Sequence, residues 1–256
     1  MSLPTVRVLT DAQGVAEAAA DQIIEVATAA VAARGVFHLC TTGGSTPAAL
    51  YRALREPSRS ARMPWGETQI WFGDDRFVPR ADALSNVSPL DAQLLSASAD
   101  GSPSPLASSA VHPWPTTAAD AATAVSAYLE ELRGAGVPHT PSGFPIFDLV
   151  LIGIGWRRAL PERLPWLTAR ARGGASCRGS ASPNAHRAAR TAPLLLARRA
   201  RQCTRGNRPR PSAGKAEALA RIFSDSTAVA DAPAKAALIP TATWLLDTAS
   251  AANLPE

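Results

Sequence analysis

Val36–Leu54 reads VFHLCTTGGSTPAALYRAL. Its first five residues are a short β-rich run, its middle is a glycine turn, and its end is helical, with Pro47 in the first turn, where a missing N–H costs nothing. The succession strand, glycines, helix belongs to a parallel sheet whose strands are joined by helices. The same pattern recurs along the chain. Upstream, Asp11–Arg34 carries apolar residues at Val15, Ala19, Ile23, Val26, Ala27 and Val31, a helical period capped by Asp11 and ended by Gly35. Downstream, TQIWF (Thr68–Phe72) reads as a buried strand followed by the loop GDDRFVP (Gly73–Pro79), and Ser96–Thr117 reads as a surface loop rich in Ser, Ala and Pro. Asp120–Arg133 is a helix closed by Gly134, and FDLVLIGIG (Phe147–Gly155) is a near-continuous apolar strand, as expected where a sheet is covered on both faces. GKAEALARIF (Gly214–Phe223) is helical, and TWLLD (Thr243–Asp247) reads as a last strand. The fold class is α/β, a doubly wound, mostly parallel sheet, in one large domain or two small ones.

Composition narrows the function. With 46% apolar residues, 256 residues can bury a sizeable core. No run of 18 apolar residues suggests a membrane span, and the N-terminus has no signal-peptide pattern. Three cysteines are too few for a disulfide scaffold, so the expected location is the reducing cytoplasm. The net charge of +5 is unevenly spread. Arg157–Arg210 holds 14 arginines, one acid, no lysine and no aspartate, a charge of +13; the remaining twelve basic and twenty acidic residues give −8. Arginine arms that neutralise phosphates are one explanation, but this block also carries Trp166 and an LLLA run.

Ligands of such folds sit at the carboxyl ends of the strands, and three loops fall there. Thr41–Thr46 (TTGGST) combines two glycines, hydroxyls and a helix N-terminus, which makes an anion cradle; the alternative is a tight turn with Ser45 as the helix cap. It lacks the GK[ST] ending of a Walker A loop and is not GxGxxG. In GDDRFVP, the planar fork of Arg76 suits a phosphate, with Asp74 or Asp75 orienting it or a substrate hydroxyl; the alternative is a surface ion pair. Ser85–Asn86 alone is an ordinary cap or turn. Gly153–Gly155 allows close backbone approach of a ligand, or simply turns the chain. His38 alternates within a strand and reads as structural, His112 and His139 sit in proline-bearing loops and read as solvated, and His186 is isolated. No zinc spacing and no GxSxG elbow is present.

Taken in order, TTGGSTPAALYRAL, IWFGDDRFVP followed by SNVSPLDAQLL, FDLVLIGIG, GKAEAL and TWLLD resemble the 6-phosphogluconolactonases, relatives of glucosamine-6-phosphate deaminase. The likeness spans most of residues 1–155 and 213–256 and implies a single Rossmann-like domain over residues 1–256. GDDRFVP followed by SN is its most specific part and favours the lactonase. The resemblance implies hydrolysis of 6-phospho-D-glucono-1,5-lactone to 6-phosphogluconate in the oxidative pentose phosphate pathway, with no metal or cofactor and a sugar-phosphate lactone as the small-molecule partner. It implies that Gly43, Gly44, Ser45 and Thr46 line the pocket and that Arg76 helps hold the phosphate. Asp75 stands where the family more often has Glu, a conservative difference. With Asp75, Ser85, Asn86, Gly153 and Gly155, these are the candidate substrate-binding residues.

The chain departs from the family after GIG. The family continues G/P-D-G-H-x-A-S-L-F-P-G, its histidine the expected base that activates water. Here Trp156–Trp166 reads WRRALPERLPW instead, so no catalytic residue is assigned. The downstream lysine and arginine of the family are missing as well. Tryptophan has the single codon TGG. With arginine as CGN and leucine as CTN, reading from Trp156 one nucleotide later gives GGC, GNC, GNG, CNC, TNC, CNG, ARC, GNC, TNC, CNT, GGC. Those codons permit Gly-Asp-Gly-His-x-x-Ser-x-Phe-Pro-Gly. The two glycines are forced by the two tryptophans and fall ten positions apart, as the motif requires; the other letters are permitted rather than forced, and the family's Ala and Leu are not permitted. The expectation is a frameshift, real or from sequencing, opening near Gly155–Trp156 and closing near Ser212–Lys215, which would account for the missing Asp and Lys. The stretch around Ala181–Thr191 does not decode equally well in a single frame, which points to more than one slip. An irregular third quarter, over about residues 156–212, is therefore expected, and a lactonase site without its base. Two other functions compete: a glucosamine-6-phosphate deaminase or isomerase, and a non-catalytic nucleic-acid binder using the Arg-rich block. The latter is disfavoured because the block reads as mistranslation. Oligomeric state is not assigned.

Overall fold

The computed structural model describes residues 4–97, 101–154, 192–197, 213–227 and 232–254. Along the chain its main elements are β1 (Thr5–Leu9), α1 (Ala12–Arg34), β2 (Phe37–Thr41), α2 (Ser45–Arg55), α3 (Pro57–Ser60), β3 (Thr68–Phe72), α4 (Ser88–Leu90), β4 (Val111–His112), α5 (Ala121–Gly134), β5 (Leu149–Ile154), β6 (Ala192–Ala197), α6 (Ala213–Phe223), β7 (Thr243–Asp247) and α7 (Thr248–Ala251). They group into two compact units, Ala16–Leu151 and Met1–Val15 with Ile152–Glu256.

In the Ala16–Leu151 unit, β2 pairs in parallel with β5 on one side and with β3 on the other, and β3 pairs in parallel with β4. Leu39 lies opposite both Ile70 and Leu149, and Cys40 opposite Trp71 and Val150. Every residue of β2 is buried, so FHLCT reads as a continuous run rather than as an alternation. α1 starts where its sequence says: Asp11 Oδ1 accepts the Gly14 N–H at 2.8 Å, and the chain leaves the helix through Gly35 at φ 74°. Its buried face, which includes Ala16, Ala19, Ala20, Ile23 and Ala27, is mostly alanine, which lets the helix pack closely. Asp148 ties the end of α1 to the sheet by pairing with Arg34 and accepting the His38 N–H.

In the other unit β7 pairs in parallel with β1 and with β6. Trp244, Leu245 and Leu246 at its centre are fully buried, and Trp244 packs edge-on against Phe223 of α6, with ring centroids 4.8 Å apart. α6 presents Ala216, Leu219 and Ile222 to the interior, a spacing of three that follows the helical period. Among the described residues no helix is long and apolar enough to cross a membrane.

The strands read from sequence recur, β3 and β7 with the expected bounds. Several expectations are corrected. β1 is a strand that periodicity did not flag: it is exposed along most of its length, so no buried face marks it. Ser96–Thr117 contains β4, a two-residue strand carried by pairing to β3 rather than by composition. α5 runs one residue past Arg133, and the left-handed residue that follows it is Gly136 at φ 73°, not Gly134. Within the segment expected to be irregular, Ala192–Ala197 is β6, held by backbone pairing of Leu194–Leu196 to β7; the rest of 156–212 lies outside the described residues.

Candidate active site

The site is built where β2 and β3 end side by side. The Gly73 N–H donates to the Thr41 carbonyl at 2.9 Å, so the two strand ends leave the sheet together. Two buried tyrosines fix these ends. Tyr51 of α2 bonds the Thr41 hydroxyl at 2.8 Å, and the Tyr128 hydroxyl of α5 accepts from the Phe72 N–H at 2.9 Å and lies 3.1 Å from its carbonyl. The Trp114 indole N–H also donates to the Phe72 carbonyl, at 2.8 Å. Local sequence gave no sign of these clamps: Tyr51 reaches back from the next helix, and Trp114 and Tyr128 reach Phe72 from elements far along the chain.

From β2 the chain enters Thr42–Gly44 and then α2. Gly44, at φ 112°, is the cap residue, so Ser45 is the first helical residue rather than the cap. That corrects the turn reading in which Ser45 capped the helix; a left-handed backbone is required one position earlier, and glycine supplies it. The Ser45 side chain lies outside the described residues. Thr46 is 6% exposed, and its Oγ1 has no hydrogen-bond partner among the described residues. Gly43 meets the facing loop directly: a Cβ there would lie 1.7 Å from Asn86 Oδ1.

Residues 73–87 fold back on themselves around Asp75 and Asn86. Asp75 Oδ1 accepts the backbone N–H groups of Arg76 (2.8 Å) and Asn86 (2.7 Å), and its Oδ2 accepts the Ser85 hydroxyl (3.1 Å). Asn86 donates through Nδ2 to the Asp74 carbonyl (2.8 Å) and to Asp74 Oδ1 (3.2 Å), and its Oδ1 accepts from Arg76 Nη1. Ser85 and Asn86 are 3% and 2% exposed, so they act as the loop's interior. Arg76 is exposed; Nη1 is anchored on Asn86 and on the Leu84 carbonyl (2.9 Å), and the guanidinium's Nε and Nη2 meet no described acceptor. Asp74 is half-buried, and burial raises its carboxyl above the usual carboxylate value, with Arg76 pulling it down and Asp75 pushing it up.

The structure thus brings Gly43, Gly44, Thr46, Asp75, Arg76, Ser85 and Asn86 to one place, with Thr42 and Asp74 between the two loops. Gly153 lies in β5, and Gly155 lies outside the described residues. His38 is a core residue, as read: burial lowers its pKa, and Nδ1 accepts the Trp71 indole N–H at 3.2 Å. His112 and His139 are not the solvated loop residues expected. His112 stacks on Trp71 with centroids 3.8 Å apart, its ring nitrogens 2.6 Å from Glu131 Oε1 and 2.7 Å from Gln69 Oε1. His139 bonds the Val137 carbonyl through Nδ1, and its Nε2 is buried. His186 lies outside the described residues. Among the described residues no group of three or more His, Cys, Asp or Glu is placed to hold a metal.

The family of glucosamine-6-phosphate isomerases/6-phosphogluconolactonase matches residues 10–245. The chain belongs to this family. A 6-phosphogluconolactonase from Streptomyces coelicolor is 32% identical to it over 263 residues, spanning 99% of this chain and 95% of the relative. The structure of a 6-phosphogluconolactonase from Trypanosoma cruzi superposes with a TM-score of 0.70 at 22% identity, covering 100% of this chain and 99% of that one. A monomeric glucosamine-6-phosphate deaminase gives a TM-score of 0.63 at 15% identity, covering 97% and 99%. Both superpositions show the shared parallel α/β fold. The family match runs through the Arg-rich block, so the block interrupts a family member rather than separating two proteins.

Proposed function

We propose that the chain carries the substrate-binding half of a 6-phosphogluconolactonase site and acts in the cytoplasm on a phosphorylated sugar lactone. The observation that carries this is the interlock of Asn86 with Gly43, Asp74 and Arg76, which holds the glycine loop and an outward guanidinium as one rigid surface. In the reaction, water adds to the lactone carbonyl, the resulting oxyanion collapses, and the C–O bond of the ring breaks to give a carboxylate and a hydroxyl. The glycine-loop amides are the donors suited to the oxyanion, and Arg76 is suited to the phosphate by its free edge, Nε and Nη2. What the chain lacks is the base. Where the family motif carries its histidine after GIG, this chain has WRRALPERLPW over Trp156–Trp166.

Lactone opening by the purified protein is therefore expected to be no faster than the spontaneous reaction, while a version with codons 156–212 returned to the family frame is expected to be active. Hydrolysis at family-like rates by the chain as it stands would refute the assignment of the missing base. Nucleotide resequencing across codons 150–216 tests the frame itself. Ammonia release from glucosamine 6-phosphate would replace the lactonase reading. So would nucleic-acid binding with steep salt dependence that is lost on deleting Arg157–Arg210.

A further inference from the structure

The sequence places two adjacent carboxylates after β3 and does not distinguish them. The structure does. Both oxygens of Asp75 are taken up by its own loop, through Arg76 N–H, Asn86 N–H and the Ser85 hydroxyl. Asp74 directs Oδ1 to the Thr42 hydroxyl at 3.4 Å and to Asn86 Nδ2 at 3.2 Å, and its Oδ2 accepts no hydrogen bond from any described residue. Thr42 and Thr46 bracket the glycine loop, and the buried Thr46 hydroxyl is also without a partner. A half-buried carboxylate oxygen without a described donor calls for a ligand group that donates a hydrogen bond. A sugar hydroxyl does so. A sugar phosphate, mostly a dianion at neutral pH, would face the carboxylate as a like charge. The exposed edge of Arg76, anchored through Nη1 alone, has the opposite requirement and suits an anion.

We propose that Asp74 sets the direction in which the substrate lies: it accepts a hydrogen bond from a sugar hydroxyl at the glycine loop, keeps the phosphate away from that loop, and leaves it to Arg76. This rests on the sugar-phosphate reading above and adds a polarity to it. The glycine loop becomes the hydroxyl end of the site, although its helix N-terminus alone would favour an anion. Burial raises the Asp74 carboxyl above its ordinary value, and a hydrogen bond from a ligand hydroxyl would favour its charged form.

The test uses the full chain and binding rather than turnover, with glucose 6-phosphate and inorganic phosphate as the probes in calorimetric titrations. The protein is expected to bind glucose 6-phosphate more tightly than inorganic phosphate. Asp74→Asn is expected to weaken glucose 6-phosphate by roughly tenfold or more, the size of one charge-assisted hydrogen bond, and to leave inorganic phosphate unchanged or tighter. Arg76→Gln is expected to weaken both. Thr42→Val, which removes the hydroxyl beside Asp74 without touching the carboxylate, is expected to weaken glucose 6-phosphate selectively but less; it serves as the second variant should Asp74→Asn not fold. If either variant weakens both probes equally, or a folded Asp74→Asn leaves glucose 6-phosphate unchanged, the polarity is wrong while the sugar-phosphate site stands. If the unmodified protein binds neither probe, the sugar-phosphate reading falls and this inference with it.

Discussion

Gly43→Ala isolates the contact on which the site is built. A Cβ at Gly43 would lie 1.7 Å from Asn86 Oδ1, 2.3 Å from Cγ and 2.9 Å from Cβ, so backbone or side chain must move. Gly43 is not among the positive-φ glycines, so alanine brings no backbone strain there and the clash is the whole effect. Asn86 has nowhere to go without loss, because it holds the Asp74 carbonyl, Asp74 Oδ1 and Arg76 Nη1 and is 2% exposed. Three hydrogen bonds at about 1 kcal/mol each, somewhat more for the charged partners, put the loss at roughly 3–4 kcal/mol if Asn86 is expelled. A partial opening of the two loops would cost less, on the order of 2 kcal/mol. Urea unfolding followed by tryptophan fluorescence measures it, together with a double-mutant cycle. Once Asn86→Gly has removed the side chain, adding Gly43→Ala should cost little, so the cycle should show a coupling of about 2 kcal/mol or more. Gly44→Ala is the control: its Cβ would meet nothing within 4 Å, but φ is 112°, so it should cost about 1–3 kcal/mol through backbone strain and show no coupling to Asn86. Additive Gly43 and Asn86 effects, or a Gly43→Ala protein as stable as its parent, would refute the interlock.

Other consequences are as direct. Tyr128→Phe removes the hydroxyl that serves the Phe72 N–H and carbonyl at the end of β3, and should cost about 1–3 kcal/mol, read as a lower urea midpoint. His38 has its pKa lowered by burial from 6.5, so the unfolded chain takes up its proton first as pH falls. The stability is present above that value and is lost below it, at up to about 1.4 kcal/mol per pH unit; urea midpoints between about pH 8 and pH 5 should show the fall, and His38→Gln should flatten it. Trp71→Ala empties a fully buried site and strips His38 of its donor and His112 of its stacking partner, a loss of about 3–5 kcal/mol visible in the thermal midpoint.

The elements legible in the sequence were those whose burial leaves a period or a run. FHLCT, TQIWF and TWLLD are buried strands, and each stands out as an apolar block between polar or glycine-bearing turns. β1 and β4 left no such mark, one being exposed and the other two residues long, and both exist because a neighbouring strand offers them partners. The fate of His112 shows the same limit: a proline-bearing loop around it said solvent, but pairing to β3 carries it onto the face of Trp71.

The sequence by itself determined the parallel α/β fold, the glycine loop and the GDDRFVP loop, because periodicity and turn chemistry are local. It could not rank Asp74 against Asp75, nor say that Ser85 and Asn86 face inward, nor that Gly43 is small for the sake of a side chain more than forty positions away. Those are decided by hydrogen bonds and van der Waals contact between segments that meet only after β2 and β3 have paired. Such contacts depend on distance in space, which a linear string does not record.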